Sequence, residues 1–356
     1  MMRSKELWIV VVAGAILGGL GVLLAAWGNP ENSGICVSCF IENSAGALGL
    51  HDNPNMQYLR PELIGFVLGS TTSALLFREF SSRGGSSPLS RLFMGMFIIF
   101  GCAVFIGCPI KLFLRLTAGD LTAVAGVIGL LSGVWVGLKG LAKGVELATP
   151  KAGMSNSGHL IPALFILLLI IFMVRPGFLL FSSKGSAAQH APWVLALTAG
   201  VALGALAQRS RFCITGSIRD TLLMGFRISA VWGLLSFLGS AFVFGIVTNR
   251  FHPGLYGQPG AHLDYLWSFL GMGLVGWISV IIGGCPFRQL IKAGEGDADA
   301  GLVVVGMFLG GALAQSWGLA STSAGVSPYG KSAILLGLTF VASSSYLFRE
   351  RRIGAA

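Results

Sequence analysis

The sequence predicts an all-α integral membrane protein with about ten transmembrane helices, four re-entrant half-helices and two inverted repeats with pseudo-twofold symmetry. Three observations predict this fold: an apolar composition, a series of long apolar runs and an internal repeat. Of 356 residues, 54% are hydrophobic and 11% are charged, whereas a soluble domain carries about 25% charged residues. The 52 glycines suit close packing of membrane helices and interrupted helices.

The apolar runs are the second observation. Each is long enough to cross about 30 Å of hydrocarbon, and they lie at 7–28, 61–78, 91–107, 121–145, 159–181, 193–209, 228–249, 264–284, 299–320 and 332–348. Because their number is even, both termini should lie on one side. Most of the 24 Lys and Arg residues lie on that side, so the positive-inside rule predicts cytoplasmic termini. The net charge of +10 is therefore interpreted as topology signals and anion contacts, and no nucleic-acid partner is expected.

The internal repeat is the third observation. A shift of 177 residues places Gly107-Cys108-Pro109 on Gly284-Cys285-Pro286, and it also places Cys36 on Cys213. The basic residues that follow each turn fall in register under the same shift. Matches of this kind at one spacing indicate a duplicated structural unit.

The repeat divides the chain into three parts. We predict a first membrane repeat at 1–181, a short polar linker at 182–192, and a second membrane repeat at 193–356 that ends in a short cytoplasmic tail. Five spans per repeat is an odd number, so the second copy enters the membrane inverted. Many secondary transporters have this plan, with the substrate site at the repeat interface near the midplane.

Four shorter and more polar segments lie between the spans, at 33–49, 108–119, 210–226 and 285–297, and each begins at or near a cysteine. Their lengths fit re-entrant half-helices. The N-terminus of such a helix carries unpaired N–H groups and a positive dipole end, which favour an anion. A thiol placed there is a soft, polarisable contact for sulfur or selenium. The predicted substrate path therefore consists of Cys36, Cys108, Cys213 and Cys285.

Basic residues in or beside these segments are predicted to form an anion funnel at each mouth or to bind lipid phosphate: Lys111, Arg115, Arg209, Arg211, Arg288 and Lys292. Structural turns and ion pairs are predicted at Gly107, Pro109, Gly284, Pro286, Arg219, Asp220 and Asp297, because an unpaired buried charge is costly in a membrane. The histidines lack ligand spacing and no nucleotide-binding motif occurs, so neither a metal nor a cofactor is expected.

Two motifs resemble the YeeE/YedE family of sulfur-transport membrane proteins. They are Gln208-Arg209-Ser210-Arg211-Phe212-Cys213-Ile214-Thr215-Gly216-Ser217-Ile218-Arg219-Asp220, and Gly283-Gly284-Cys285 followed by Lys292-Ala293-Gly294-Glu295-Gly296. The resemblance implies a multi-pass protein of the bacterial inner membrane that passes thiosulfate-like anions inward. By motif match it implies pathway roles for Cys213, Cys285 and Cys108. It also implies hand-over to a small cytoplasmic sulfur-carrier protein of the TusA type.

One departure from the family pattern concerns the substrate. Thiosulfate members follow the turn cysteine with small residues, whereas this chain has Pro109-Ile110-Lys111 and Pro286-Phe287-Arg288. The chain is more similar to the YedE-like branch of selenium transporters. A selenium-containing anion is therefore the expected substrate, with thiosulfate as the alternative.

A second function class stays open at this point. A membrane thiol oxidoreductase could use Cys36 and Cys39, which form a C-x-x-C motif, together with Cys102 and Cys108. That reading leaves Cys213 and Cys285 without a role and the duplicated turn unexplained, so a transporter without enzymatic activity is preferred. Cys102 is expected to be a packing residue, since a free thiol is commonly a small buried hydrophobe.

Overall fold

The computed structural model describes residues 4–85, 87–145, 151–152, 156–226 and 228–353. These ranges fold almost wholly into α-helices, apart from loops and two paired two-residue strands, β1 (Arg83–Gly84) and β2 (Lys151–Ala152). The α-helices are α1 (Ser4–Ala26), α2 (Val37–Ala47), α3 (Pro61–Leu76), α4 (Pro88–Phe105), α5 (Pro109–Thr117), α6 (Ala123–Ala142), α7 (Leu160–Val174), α8 (Trp193–Ser210), α9 (Ile214–Met224), α10 (Ser229–Val247), α11 (Tyr265–Ile282), α12 (Pro286–Gly294), α13 (Ala298–Ser316) and α14 (Pro328–Ile353).

The helices coincide with the predicted segments. Each predicted span contains a helix, in the order α1, α3, α4, α6, α7, α8, α10, α11, α13 and α14. The predicted half-helices correspond to α2, α5, α9 and α12, which have 11, 9, 11 and 9 residues. A helix of that length rises only about 15 Å, roughly half the thickness of the hydrocarbon core.

Seven helical segments among the described residues are long and apolar enough to cross a membrane. In two of them a span continues into a half-helix, since Pro88–Thr117 joins α4 to α5 and Tyr265–Gly294 joins α11 to α12. Helix α3 has 16 residues, and α8 and α14 also fall outside this set of seven. The prediction of an all-α, multi-pass membrane protein is confirmed.

Four intimate helix pairs build the bundle: α1 with α10, α3 with α8, α4 with α13, and α6 with α11. Glycines allow the backbones to approach. A Cβ atom on Gly133 of α6 would overlap the carbonyl of Gly273 on α11, and one on Gly14 of α1 would overlap the carbonyl of Gly233 on α10. Small residues at such crossings are typical of membrane helices, because close packing replaces the hydrophobic driving force available in water.

The predicted linker at 182–192 contains no helix and packs on the loop before α3. The Ser182 N–H donates to the Gln57 carbonyl at 2.7 Å, and the Gln57 N–H donates to Ser182 Oγ at 2.8 Å. Of the predicted topology signals, Arg3 and Arg227 lie outside the described residues, as does the end of the predicted tail at 354–356.

Candidate functional site

The first thiol pair joins the starts of α9 and α12. Cys213 and Cys285 are the N-cap residues of these helices, both with extended backbone. Their Sγ atoms lie 3.4 Å apart, and the Cys285 N–H donates to Cys213 Sγ at 3.5 Å. The Thr215 hydroxyl lies 3.3 Å from Cys213 Sγ. Two half-helices from different parts of the chain therefore present their N-termini and thiols to one point.

The second thiol pair joins the starts of α2 and α5 in the same way. Cys36 and Cys108 are the N-cap residues of these helices and are buried in the same core. The Ser38 hydroxyl lies 3.4 Å from Cys36 Sγ, and the Cys39 N–H donates to that sulfur at 3.4 Å. Cys102 of α4 is fully buried in the same core as this pair, which suits its predicted packing role.

All six cysteines are free thiols, and the four predicted path cysteines are 0 to 6% exposed. All four belong to one continuous buried core. The structure therefore brings together the four thiols that the sequence placed in one path.

Hydroxyl groups beside the thiols were missed by the sequence reasoning. Ser38 and Thr215 each follow a path cysteine by two residues, and a shift of 177 residues relates them. Cys102 has Ser279 as its counterpart under the same shift, and both are buried. Extending the repeat alignment by two residues beyond Cys36 would have revealed the hydroxyl pair.

The turns that carry Cys108 and Cys285 explain their glycines and prolines. Ile106 and Gly283 end α4 and α11 in the left-handed region, with φ of 62° and 79°. A Cβ atom on Gly107 would lie 2.7 Å from Lys111 Cδ, and one on Gly284 would lie 2.7 Å from Arg288 Cγ. The glycines thus leave room for the stem of a basic side chain, as predicted for structural turns.

Pro109 and Pro286 occupy the first helical position of α5 and α12. Proline suits that position because its N–H would be unpaired there and its φ is already helical. The N–H groups of the following residues still point toward the thiol pairs. These prolines start the half-helices where the sequence predicted.

A cavity of about 810 Å³ opens beside the Cys36–Cys108 pair. Charged and amide side chains line it, among them Lys111, Glu42, Arg60 and Gln315, together with the half-buried Cys39. A second cavity of about 360 Å³ reaches Cys213 itself, and four charged side chains line it: Arg211, Arg219, Asp220 and Arg288. The first is called the outer cavity and the second the inner cavity, after the sides on which the predicted topology places them.

The two cavities lie at opposite ends of the same helices. Val10, near the start of α1, lines the inner cavity, and Pro30, just after its end, lines the outer cavity. The helix between Val10 and Ala26 rises roughly 24 Å. Ser210 at the end of α8 and Gln189 before its start repeat this division. The buried thiols lie between the two openings.

Three of the predicted funnel residues line a cavity: Lys111 the outer one, and Arg211 and Arg288 the inner one. The Lys111 side chain is 3% exposed and makes no hydrogen bond or ion pair with the residues that the structure describes. Arg288 is paired, because its Nη1 lies 2.9 Å from Glu295 Oε1 and it donates to the Ala207 carbonyl at 3.3 Å.

The funnel prediction is wrong for Arg115, which is 1% exposed and lines neither cavity. It donates to Asp120 Oδ2 at 2.6 Å, to the Phe105 carbonyl at 3.2 Å and to Thr122 Oγ1 at 2.8 Å. Burial without these partners would be very costly, so Arg115 is a structural residue that ties α5 to the turn before α6.

Lys292 and Arg209 also lie away from the cavities, which corrects their predicted funnel role. Lys292 Nζ lies 3.5 Å from Asp297 Oδ2, at the end of α12. Arg209 lies 2.6 Å from Glu79 Oε1 and stacks on the Phe77 ring at 4.0 Å, on the surface where α3 and α8 end. Both cations are neutralised by carboxylates, so neither is available to an anion in a cavity.

The predicted ion-pair residues do form ion pairs. Arg219 and Asp220 are 2.7 Å apart and about one-third exposed at the inner cavity, rather than enclosed within the bundle. Asp297 is buried and contacts Arg83 at 3.3 Å besides Lys292, while its Oδ1 accepts from the Ala300 N–H and caps α13.

Arg60 is a cavity residue that the sequence reasoning missed. It is 1% exposed, donates to Asn43 Oδ1 at 2.9 Å and to the Ser186 carbonyl at 3.0 Å, and stacks on the Tyr58 ring at 5.1 Å. Arg60 lies in a loop and has no basic counterpart in the second half. The sequence alone therefore could not distinguish it from a basic residue that only sets the membrane topology.

No protein-family model matches the chain, and no curated protein matches it. Among the described residues, no group of three or more His, Cys, Asp or Glu side chains could hold a metal ion. The thiols, the cavities and the charges around them are therefore the features that indicate a function.

Proposed function

We propose that the chain is an inner-membrane importer of a small selenium- or sulfur-containing anion, with a selenium compound favoured and thiosulfate as the alternative. One observation carries the proposal: four buried thiols, all at half-helix N-termini, lie between cavities at opposite ends of the helices. This is the arrangement that a path for a soft anion needs.

The chemistry of the thiol pairs suits such a cargo. Half-helix N-termini offer N–H groups and a positive dipole end to an anion, and sulfur is a polarisable contact and a weak donor. The hydroxyls of Ser38 and Thr215 add donors at 3.4 and 3.3 Å from the sulfurs of Cys36 and Cys213. A cargo leaving water would therefore exchange its hydration shell for donors at successive points.

The proposal includes ten spans in two inverted repeats, with both termini cytoplasmic in the bacterial inner membrane. Helix packing supports the repeats, because a shift of one repeat exchanges α1–α10 with α3–α8, and α4–α13 with α6–α11. Two ion pairs also correspond: Arg115–Asp120 in the first half and Lys292–Asp297 in the second. The α7 and α14 helices break the correspondence, since they contact different neighbours.

On the cytoplasmic side, the proposed partner is a small sulfur-carrier protein of the TusA type, and on the apolar surface it is membrane lipid. Neither an enzymatic activity nor a nucleic-acid partner forms part of the proposal. The resemblance of the Arg209 to Asp220 region and of the Cys285 turn to the YeeE/YedE family supports this assignment, and the inner cavity beside both motifs is the exit it requires.

Uptake into vesicles containing only the purified chain tests the proposal. Labelled selenite and labelled thiosulfate should each enter, with selenite preferred, and unlabelled anion of either kind should compete. Sulfate, which has no soft sulfur or selenium atom exposed to a thiol, is the control anion and should enter poorly. If neither selenite nor thiosulfate enters above protein-free vesicles, the transport proposal fails.

A thiol oxidoreductase is the second candidate, because the Cys39 N–H donates to Cys36 Sγ and Cys39 lines the outer cavity. An N–H contact to sulfur at a helix start is typical of redox-active cysteines. A titration of free thiols against redox potential separates the two functions. The oxidoreductase requires reversible loss of two thiols during turnover, whereas transport should proceed with all six thiols reduced.

A further inference from the structure

The outer cavity contains a buried carboxylate and a buried ammonium group that are not paired with each other. Glu42 of α2 is 4% exposed and Lys111 of α5 is 3% exposed, and both line this cavity. They are close enough to interact electrostatically, yet no ion pair joins them. Two opposite charges held apart across a cavity leave room for a ligand between them.

Glu42 is positioned by an amide relay rather than by a cation. The Gln315 side chain of α13 accepts a hydrogen bond from Asn53 Nδ2 at 2.7 Å, which orients its Nε2 to donate to Glu42 Oε2. The other carboxylate oxygen, Oε1, makes no hydrogen bond among the described residues. An amide N–H can donate to an ionised carboxylate or to the carbonyl oxygen of a protonated carboxyl, so the relay can hold Glu42 in place in both states.

The other titratable and charged groups around Glu42 come from several elements. Its own segment contributes Cys36 and Cys39, α4 contributes Cys102, and the loop after α2 contributes His51, whose Nε2 lies 2.9 Å from the Glu42 carbonyl oxygen. Arg60 at the start of α3 is tied to Asn43 and to carbonyls, and Glu31 of the same cavity lies 3.8 Å from Arg250. Helix α13 contributes Gln315, which is neutral.

The inner cavity lacks this arrangement. Under the repeat shift, Glu42 corresponds to Arg219, and Lys111 corresponds to Arg288. Arg219 is paired with Asp220, and Arg288 is paired with Glu295. The first half has Ala118 where the second half has Glu295, so Lys111 has no such partner. The unpaired couple is therefore a feature of the outer cavity.

We propose that Glu42 and Lys111 form a coupled site that loads one proton together with one anion, so that the chain is a proton–anion symporter. This inference rests on the proposed transport function and supplies its energy source. When Glu42 is ionised in the empty site, its carboxylate balances the Lys111 ammonium group. When a singly charged anion binds at Lys111, a proton from the outer solution joins Glu42, and the site stays neutral.

Neutrality in both states is the physical reason for the coupling. A third charge that enters a buried pair would leave one negative charge uncompensated in a medium of low dielectric constant, which is costly. Uptake of a proton removes that cost, so anion binding and protonation of Glu42 favour each other. One proton per anion allows accumulation by about tenfold for each unit of pH difference across the membrane.

Vesicles that contain the purified full-length chain and a trapped pH-sensitive dye test this site. With the outside one pH unit more acidic, wild-type vesicles should accumulate labelled selenite by about tenfold, and addition of selenite should acidify the interior. Glu42→Gln keeps the hydrogen-bonding shape but cannot carry the proton. It should take up selenite only to equilibrium, without acidification and without dependence on the pH gradient.

Glu31→Gln is the matched control, because Glu31 lines the same cavity but lies beside Arg250. It should keep wild-type coupling. Wild-type uptake without proton movement overturns the inference and leaves the transport proposal intact, as does a Glu42→Gln variant with full gradient dependence. If Glu42→Gln does not fold, the wild-type proton measurement decides alone. If selenite and thiosulfate both fail to enter wild-type vesicles, the transport proposal and this inference fall together.

Discussion

The two cavities lie beside corresponding half-helix starts but differ in how their charged side chains are paired. At the inner cavity, Arg219 and Arg288 each have a carboxylate partner within 3 Å. At the outer cavity, the corresponding Glu42 and Lys111 have no ion-pair partner among the described residues. Thiols occupy matched positions in the two halves, so in the proposed transporter they are the shared contacts for the anion. The charges differ, so in the same proposal they give the two faces distinct roles.

The difference shows how the two halves of a proposed repeat can become asymmetric. Neither the half-helix lengths nor the turns have changed between α5 and α12, which both begin at Cys-Pro and have 9 residues. A single residue after each helix, Ala118 or Glu295, decides whether the basic side chain one turn after the thiol is free or neutralised. Substitutions at matched positions can therefore break or sharpen the comparison.

The largest loss of uptake is expected when the cysteines that both halves share are replaced. Cys108→Ser and Cys285→Ser each keep a small donor at the half-helix N-terminus but remove the polarisable sulfur. Each should lower the initial rate of selenite uptake by at least about tenfold, which corresponds to about 1.4 kcal/mol of lost stabilisation. Uptake is measured in vesicles with the amount of folded protein quantified in the same sample.

Cys102→Ser is the matched control for these two variants. The second half already has Ser279 at the equivalent buried position, so serine should be tolerated there and uptake should stay near the wild-type rate. Normal transport by both Cys108→Ser and Cys285→Ser would make these cysteines packing residues and would remove the proposed path.

The next largest effect is a loss of stability when one of the two corresponding ion pairs, Arg115–Asp120 or Lys292–Asp297, is broken. Asp120→Asn leaves Arg115, which is 1% exposed, without its carboxylate, and breaking a buried pair in this way costs about 3–5 kcal/mol. Asp297→Asn should cost less, because Lys292 is 18% exposed and the second cation at this carboxylate, Arg83, keeps Glu295 at 3.5 Å. Thermal unfolding of the purified variants in detergent measures both. Equal losses of Tm in the two variants would show that the greater burial of the Arg115–Asp120 pair does not matter for stability.

A smaller effect, on the affinity for the anion, is expected from replacing Ala118, the residue that follows α5. Ala118→Glu gives Lys111 the partner that Arg288 has, so the outer site should bind its anion more weakly and the half-saturating selenite concentration should rise by about fivefold to tenfold. Ala118→Gln, which adds bulk without charge, is the control and should leave that concentration near wild type. A rise of the same size in both variants would assign the effect to crowding.

The sequence predicted much of this arrangement for identifiable reasons. Apolar length and the Cys-Pro turns predicted the helices and half-helices, because both depend on local chain properties. The repeat shift predicted that Cys36, Cys108, Cys213 and Cys285 belong together, since equivalent positions meet at a repeat interface. The sequence did not predict which two thiols lie next to each other, because that depends on how the half-helices pack in the folded protein.

The charged residues show where such reasoning stops. Lys111 and Arg115 are four residues apart on α5 and look alike in sequence, yet one lines the outer cavity and the other is sealed against Asp120. Which face of a nine-residue helix meets a cavity depends on helices distant in sequence. Glu42 was missed for the same reason, because its role depends on Gln315, which is 273 residues away.

The smallest effect is expected for the exposed ion pair between Glu79 and Arg209. Both side chains are about one-third exposed, and such pairs contribute only about 0.2–1 kcal/mol. The hydrogen bond from Gln208, together with that from Arg209, lowers the pKa of Glu79 below its ordinary value. A carboxyl with a lowered pKa stabilises the fold above its ordinary pKa, and this contribution disappears as the pH falls through the lowered value. Glu79→Gln keeps an oxygen that can accept from Gln208, so its Tm should lie slightly below that of the wild type at neutral pH and should equal it in acid. A Tm difference that stays constant between neutral and acidic pH would show that Glu79 acts through packing rather than through its charge.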